Sequence, residues 1–241
     1  MTLRSAPLPR NDLRQYDDLV GHWERPGGAF AALHWLARSR AGLVPPAPAG
    51  GPPPLLVDIG CGGGLLANEV RGYRHVGLDL VPSALACAGP RGVIPVRADA
   101  ARLPLRSAVA DVVAAGEILE HVTDLEAVVA ELARVLKPGG TVVIDTLNDT
   151  RFARFALVTV AERLPGGPPP RIHDPRLFVR PERLAELFAA HGLTLECWGL
   201  RPSVVDYLRF LVRRLRPVRM VRTASVAGVY QGVGRKATAP G

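Results

Sequence analysis

The sequence predicts an α/β fold with a largely parallel sheet. Three observations carry that reading. Short apolar runs alternate with helix-patterned stretches from Leu55 to Leu147, the arrangement of successive βαβ units. A glycine-rich turn, Gly60-Cys61-Gly62-Gly63-Gly64, follows the first run. Acidic residues then sit at the ends of the next two runs, Asp79 and Asp99.

Each element has its own justification. From Asp12 to Arg40 the apolar points Trp23, Phe30, Leu33 and Leu36 suggest helix, interrupted near Pro26-Gly27-Gly28. PPAPAGGPPP (45–54) is a linker, because proline fixes φ and glycine loosens the chain. LLVDIG (55–60) is a buried strand and LLANEVR (65–71) a helix. HVGLD (75–79) is the second strand, and PSALACA (82–88) the next helix, with Pro82 at its start. VIPVRAD (93–99) and DVVAAGE (111–117) are strands three and four. Asp124 to Leu136 is an amphipathic helix stopped by Lys137-Pro138-Gly139-Gly140, and TVVIDTL (141–147) is the fifth strand. Residues 150–164 pattern as helix until PGGPPP breaks them. RPERLAELFAAHGL (180–193) is a further helix, and 194–200 and 226–234 are closing strands.

Composition removes several function classes. The 241 residues are 48% apolar and 22% charged, which excludes wholesale disorder. Three cysteines give neither a disulfide framework nor a four-thiolate zinc site, and they point to a reducing compartment. The first twenty residues lack the apolar core of a signal peptide, and no run is long enough to span a membrane. The expected location is therefore cytoplasmic, peripheral at most on the inner face of the cell membrane. The net charge of +8 invites a nucleic-acid partner, but the charge is local. Seven arginines (201, 209, 213, 214, 216, 219 and 222) and one acid, Asp206, fall between 201 and 222, leaving the rest nearly balanced. No nucleic-acid partner is expected.

The glycine turn is the sharpest signal. Glycine lets the backbone turn tightly and approach a ligand closely. A nicotinamide fingerprint needs glycine at its sixth position, where Leu65 stands counting from Gly60 and Ala67 counting from Gly62. The pattern D-x-G-C-G-x-G over Asp58–Gly64 is matched at every fixed position. With Asp79 in a position to accept from ribose hydroxyls, and Asp99-Ala100 after the third strand, the chain resembles the class I S-adenosylmethionine-dependent methyltransferases. That resemblance implies a Rossmann-like fold, a mostly parallel seven-stranded sheet with helices on both faces. It divides the chain into an N-terminal helical segment and linker (1–54) and a methyltransferase domain (55–241). The domain carries an insertion at about 149–179 and a basic segment at 201–222.

Residues 117–148, with E-I-L-E-H-V, KPGG and T-L-N, are similar to the narrower family of ubiquinone biosynthesis O-methyltransferases. IHDPRLFVRPERL (172–184) and Phe30…His34…Arg40-Ala-Gly42 match that family too. The resemblance implies cofactor contacts at Arg40, Asp58, Gly60, Cys61, Gly62, Asp79, Leu80, Asp99, Ala100 and Gly116. Arg40 would hold the cofactor carboxylate bidentately. Gly116 replaces a frequent methionine. Glu117, Glu120 and His121 match a proposed divalent-metal set, which spacing i, i+3, i+4 would place on one helical face and whose oxygen-rich donors suit Mg2+. A metal-free pocket shaped by the same side chains is the alternative. Glu117, His121 and His173 are the candidates for generating a phenolate.

The implied reaction is methyl transfer to a phenolic or catechol oxygen, on an acceptor that is a prenylated quinone precursor or, alternatively, a soluble secondary metabolite. Two segments suggest a membrane surface. Phe152, Phe155, Ala156 and Val160 line one side of 151–164, and Val204, Leu208, Leu211 and Leu215 form a stripe beside the arginines of 201–222. The alternative is that both stripes pack inward on the sheet.

Overall fold

A computed structural model describes residues 8–213 and 217–238. Eight strands form one sheet, in the spatial order β3-β2-β1-β4-β5-β8-β6-β7. They are β1 (Leu55–Ile59), β2 (Arg74–Asp79), β3 (Ile94–Arg97), β4 (Ala110–Gly116), β5 (Leu136–Leu147), β6 (Leu193–Pro202), β7 (Met220–Thr223) and β8 (Val229–Lys236). Strands β1 to β5 pair in parallel, while β8 runs antiparallel between β5 and β6. The sheet thus has one strand more than the seven expected. The extra one is β7, a short edge strand antiparallel to β6, formed inside the basic segment.

Side-chain alternation explains why the sheet is covered on both faces. Leu55, Val57 and Ile59 join one apolar cluster, with Val113, Ala115, Val142 and Ile144. Leu56 points the other way, with Val112, Ala114 and Val143. The first face is covered by α4 (Leu125–Val135) and α6 (Pro181–Ala190) through Val128, Leu132, Leu184 and Phe188. Asp124 caps α4 by accepting from the Ala127 N–H at 2.9 Å, and Pro181 opens α6.

The N-terminal segment folds as α1 (Arg14–Asp18), a 3-10 turn (Val20–His22) and α2 (Ala31–Ala41). Trp23, Phe30 and Ala37 pack it against Leu65, Val81 and Ala84, the last two from the start of α3 (Pro82–Ala88). The helix expected at 65–71 is only a 3-10 turn, Leu65–Asn68. Leu65, Leu66 and Ala67 are all buried, so there is no solvent face for a longer helix to present.

Residues 149–179 leave the sheet after β5 and return before α6. Their start is pinned by the Thr150 hydroxyl donating to the Ala227 carbonyl and their end by the Val179 N–H donating to the Leu147 carbonyl. The single helix expected at 150–164 is instead α5 (Arg151–Ala153), a π-helical stretch (Arg154–Val160) and a 3-10 turn (Ala161–Arg163). The wider π-helical turns sit where Phe152 and Phe155 face outward while Ala153 and Val158 are buried. After β6 comes α7 (Val204–Val212), and Arg214, Leu215 and Arg216 lie outside the described residues. No helix among the described residues is long and apolar enough to cross a membrane.

Candidate active site

The strand order reverses between β1 and β4, and the carboxyl ends of those two strands carry the site. Past β1 the backbone turns through Gly60 (φ 65°), Gly62 (φ 51°) and Gly64 (φ 77°). A Cβ on Gly62 would meet the Trp23 ring at 2.5 Å, so space and conformation both demand glycine. Asp79, at the end of β2, ties the loop down. Its carboxylate accepts from the Gly62 N–H at 2.8 Å and the Val81 N–H at 2.9 Å. Burial holds the Asp79 carboxyl above its ordinary range. Asp58 is buried 3.3 Å from His75 Nε2. Burial also pushes the Cys61 thiol up, as suits a packed side chain rather than a nucleophile.

Arg40 crosses the face of Gly116 and reaches Asp145 on β5. Its Nε and Nη2 donate to the two Asp145 oxygens at 2.7 and 2.6 Å, and both side chains are buried. A Cβ at Gly116 would lie 1.7 Å from the Arg40 guanidinium carbon. Glycine there is what makes room for the ion pair. Gln231 adds a donor to Asp145 at 3.3 Å, and the Ser39 hydroxyl donates to Gln231.

Next to this pair lies a dense titratable cluster. Glu117 occupies the left-handed region (φ 52°), an uncommon place for a side chain other than glycine, and its N–H donates to the Asp145 carbonyl. Leu119–His121 then form one 3-10 turn. Glu120 is fully buried and accepts from the Thr146 hydroxyl at 2.7 Å. Burial pushes its carboxyl up to about 7. Burial, with Glu120 and Asp145 beside it, holds Glu117 well above its usual value. His121 is pushed down to about 4 by burial, and His173, stacked on it at 5.2 Å, is also held low. Glu117 Oε1, Glu120 Oε1 and His173 Nδ1 are buried without a hydrogen-bond partner.

A cavity of about 340 Å³ joins these features. Its wall runs from Gly60 and Asp79 past Arg40, Glu117 and His121 to Leu157, Leu164 and Tyr207. That size is within the range of small-molecule pockets, and its outer half is apolar.

A methyltransferase-domain family model matches residues 57–144. A ubiquinone biosynthesis O-methyltransferase of Burkholderia thailandensis is 35% identical over 197 residues, covering 77% of this chain and 83% of that protein. One of the same description from Idiomarina loihiensis is 30% identical over 208 residues, covering 80% and 84%. The chain belongs to the ubiquinone biosynthesis O-methyltransferase family. A solved S-adenosylmethionine-dependent methyltransferase of Thermotoga maritima, described as a possible histamine N-methyltransferase, shares the fold at a TM-score of 0.66 and 18% identity, covering 93% of this chain and 99% of that one.

In this methyltransferase the expected residues divide into three groups. Asp58, Gly60, Cys61, Gly62, Asp79, Arg40 and Gly116 all line the cavity. Leu80, Asp99 and Ala100 do not line it. Leu80 is substantially exposed, and the Asp99 carboxylate is occupied by the Ala101 N–H. The third group is titratable: Glu117, His121 and His173 line the cavity and Glu120 is fully buried, and here, as at Arg40, the geometry differs from the expected one. Arg40 makes its bidentate pair with Asp145, leaving only Nη1 for a cofactor carboxylate. The three donors that converge are Glu120, His121 and His173, with one atom of each within 4.8 Å of the others, whereas Glu117 is not in the set. The i, i+3, i+4 argument assumed a helix, but Glu117 precedes the turn in a left-handed conformation, and its carboxyl lies beside those of Glu120 and Asp145 and the Arg40 guanidinium. Asn11, Asp145 and Gln231 went unrecognised in the sequence.

Proposed function

We propose that this methyltransferase methylates a phenolic or catechol oxygen on a prenylated quinone-type acceptor held at a membrane surface. The observation that carries this reading is the single cavity joining the glycine loop to the apolar wall of the insertion and α7. The printed descriptions of the relatives agree with it. Bound in the glycine loop, S-adenosylmethionine supplies an electrophilic sulfonium methyl. The positive-φ glycines let the loop turn tightly against Ile118, Trp23 and Ala88, which leave no room for a Cβ, and Asp79, which lines the same cavity, is our candidate acceptor for ribose hydroxyls.

The chain's own residues then have two tasks. The apolar wall orients the acceptor and excludes water, which aligns the reacting atoms. Glu117 and His121, both on the cavity, take up the phenolic proton, with His173 stacked behind His121. Glu120, His121 and His173 also fit a divalent cation such as Mg2+. Orphaned Glu120 Oε1 and His173 Nδ1 are what a cation would satisfy, and burial keeps both imidazoles neutral, as ligation requires. Such an ion would supply Lewis acidity to the phenolic oxygen.

The membrane reading rests on outward apolar side chains. Phe152, Phe155, Val160 and Leu164 of the insertion are exposed, as are Val204, Leu208 and Leu211 of α7. The inward face of α7 is Phe210 and Tyr207, packed on Trp35 and against Pro165 and Gly166, so the stripe is not the face that meets the protein. Arg201, Arg209 and Arg213 are exposed nearby in sequence, as anionic lipid would favour.

The test supplies methyl-labelled S-adenosylmethionine with anionic vesicles carrying a prenylated catechol, or with a water-soluble catechol. Label on the prenylated oxygen, stimulated by vesicles, is expected. Label only on the soluble acceptor overturns the acceptor class and the membrane role together.

A further inference from the structure

Two consecutive residues of the N-terminal segment reach across the molecule to the two histidines of the site. Arg10 Nη1 donates to the His173 carbonyl at 2.8 Å and to Glu162 at 3.0 Å. Asn11 makes a two-point contact with His121. Its Nδ2 donates to the His121 carbonyl at 2.9 Å, and its Oδ1 lies 2.6 Å from His121 Nδ1.

That contact determines where the imidazole proton sits. A backbone carbonyl only accepts, so the amide nitrogen must face it. The amide oxygen is then the atom facing Nδ1, and because an amide oxygen only accepts, Nδ1 must carry hydrogen. Rotating the amide by 180° would set oxygen against oxygen at 2.9 Å. Whenever the ring is neutral, Nε2 is therefore the bare lone pair, and the ring lines the cavity.

Asn11 is not held by His121 alone. It adopts a left-handed backbone (φ 60°), a region asparagine tolerates better than most residues, and its N–H donates to the Arg171 carbonyl at 3.1 Å. Gln15 donates to the same carbonyl and to that of Pro9, while Arg171 Nε donates to the Leu8 carbonyl. The segment is locked to the insertion before it touches the histidine, as a positioning group must be.

We propose that Asn11 is a positioning residue that fixes His121 as its Nδ1–H tautomer and so leaves Nε2 to serve the site shared with Glu120 and His173. The metal part of this inference rests on the cation reading above; the tautomer part does not. The experiment uses the full-length protein with 15N-labelled histidine. Ring-nitrogen NMR reports the His121 tautomer, assigned by its loss in His121→Gln. Mn2+ titration followed by electron paramagnetic resonance reports ion binding without turnover. In the wild type, Nδ1 should be the protonated nitrogen. Asn11→Leu should populate the Nε2–H form and weaken Mn2+ binding about 10- to 100-fold. Asn11→Asp keeps an acceptor on Nδ1 and so should retain the Nδ1–H ring, while its second oxygen, set against the His121 carbonyl, should lower Tm. An Nδ1–H ring and unchanged Mn2+ affinity in Asn11→Leu would overturn the proposal. A tautomer change in a protein that never binds Mn2+ would support Asn11 as the positioning residue and overturn the cation reading instead.

Discussion

Arg40→Met is the perturbation whose cost can be worked most directly. Asp145 is wholly buried, and two of its contacts are the 2.7 and 2.6 Å donations from Arg40. Methionine keeps most of the arginine stem's volume but removes the charge. What remains for Asp145 is one weak donor, Gln231 at 3.3 Å. Stranding one partner of a buried pair costs about 3–5 kcal/mol. For a domain of this size each kcal/mol lowers Tm by about 2–4 °C, so the variant should melt roughly 6–20 °C below wild type. The decisive control is Arg40→Met with Asp145→Ser, which removes the second charge as well. With both charges gone the desolvation penalty goes too, and most of the lost stability should return. Thermal and urea unfolding at neutral pH, without cofactor, would measure both. A single variant costing under about 1 kcal/mol, or a double no better than the single, would refute the pairing.

Other consequences follow from separate parts of the site. Asp79→Ala should weaken S-adenosylmethionine binding more than tenfold by calorimetry, because it frees the Gly62 and Val81 N–H groups and removes the ribose acceptor. In chelator, Glu120→Gln should change how stability depends on pH. The wild-type carboxyl is raised from 4.5 to about 7, so its contribution is intact below pH 4.5 and is lost as pH rises through 7. The variant lacks that loss and also relieves Glu117, which the Glu120 charge helps to raise, so its stability relative to wild type should rise as pH rises from 4.5 through 7. His121, shifted the opposite way, is common to both proteins and drops out of the difference. Replacing Phe152 and Phe155 with serine should reduce sedimentation with anionic vesicles while leaving Tm nearly unchanged, since both rings are more than 60% exposed.

Much of the fold was legible because it rests on local rules. Strand alternation, Pro82 and Pro181 at helix starts, and Asp124 as a cap are decided within a few residues. The glycine loop was legible for the same reason, since positive φ at Gly60, Gly62 and Gly64 is a demand the sequence states openly. The expectations that changed depended on distant partners. Strand β7 exists because β6 offers it an edge, and the four residues 220–223 carry no strand pattern of their own to announce it. The insertion follows π-helical turns where its apolar side chains divide between cavity and exterior, a division no single periodicity encodes.

The titratable cluster shows why side-chain partners far apart in sequence are hard to read from it. Gly116 and Asp145 act together: the absence of a side chain at 116 opens a path, and the carboxylate at 145 gives Arg40 its buried partner. The Glu117 carboxyl lies between this ion pair and Glu120, while the three donors that converge are Glu120, His121 and His173. His173, 52 residues beyond His121, joins the donors, with its carbonyl accepting from Arg10. Arg40 thus joins the cavity wall to the buried carboxylates, and the proposed cofactor and ion sites would share it. Asp145→Ser alone tests the coupling: the metal-free, cofactor-free protein should lose stability as Arg40 loses its partner, and saturating S-adenosylmethionine should restore more of it than in wild type as its carboxylate takes the freed guanidinium. Equal cofactor stabilisation in both proteins would mean that Arg40 belongs to Asp145 whether or not the cofactor is bound.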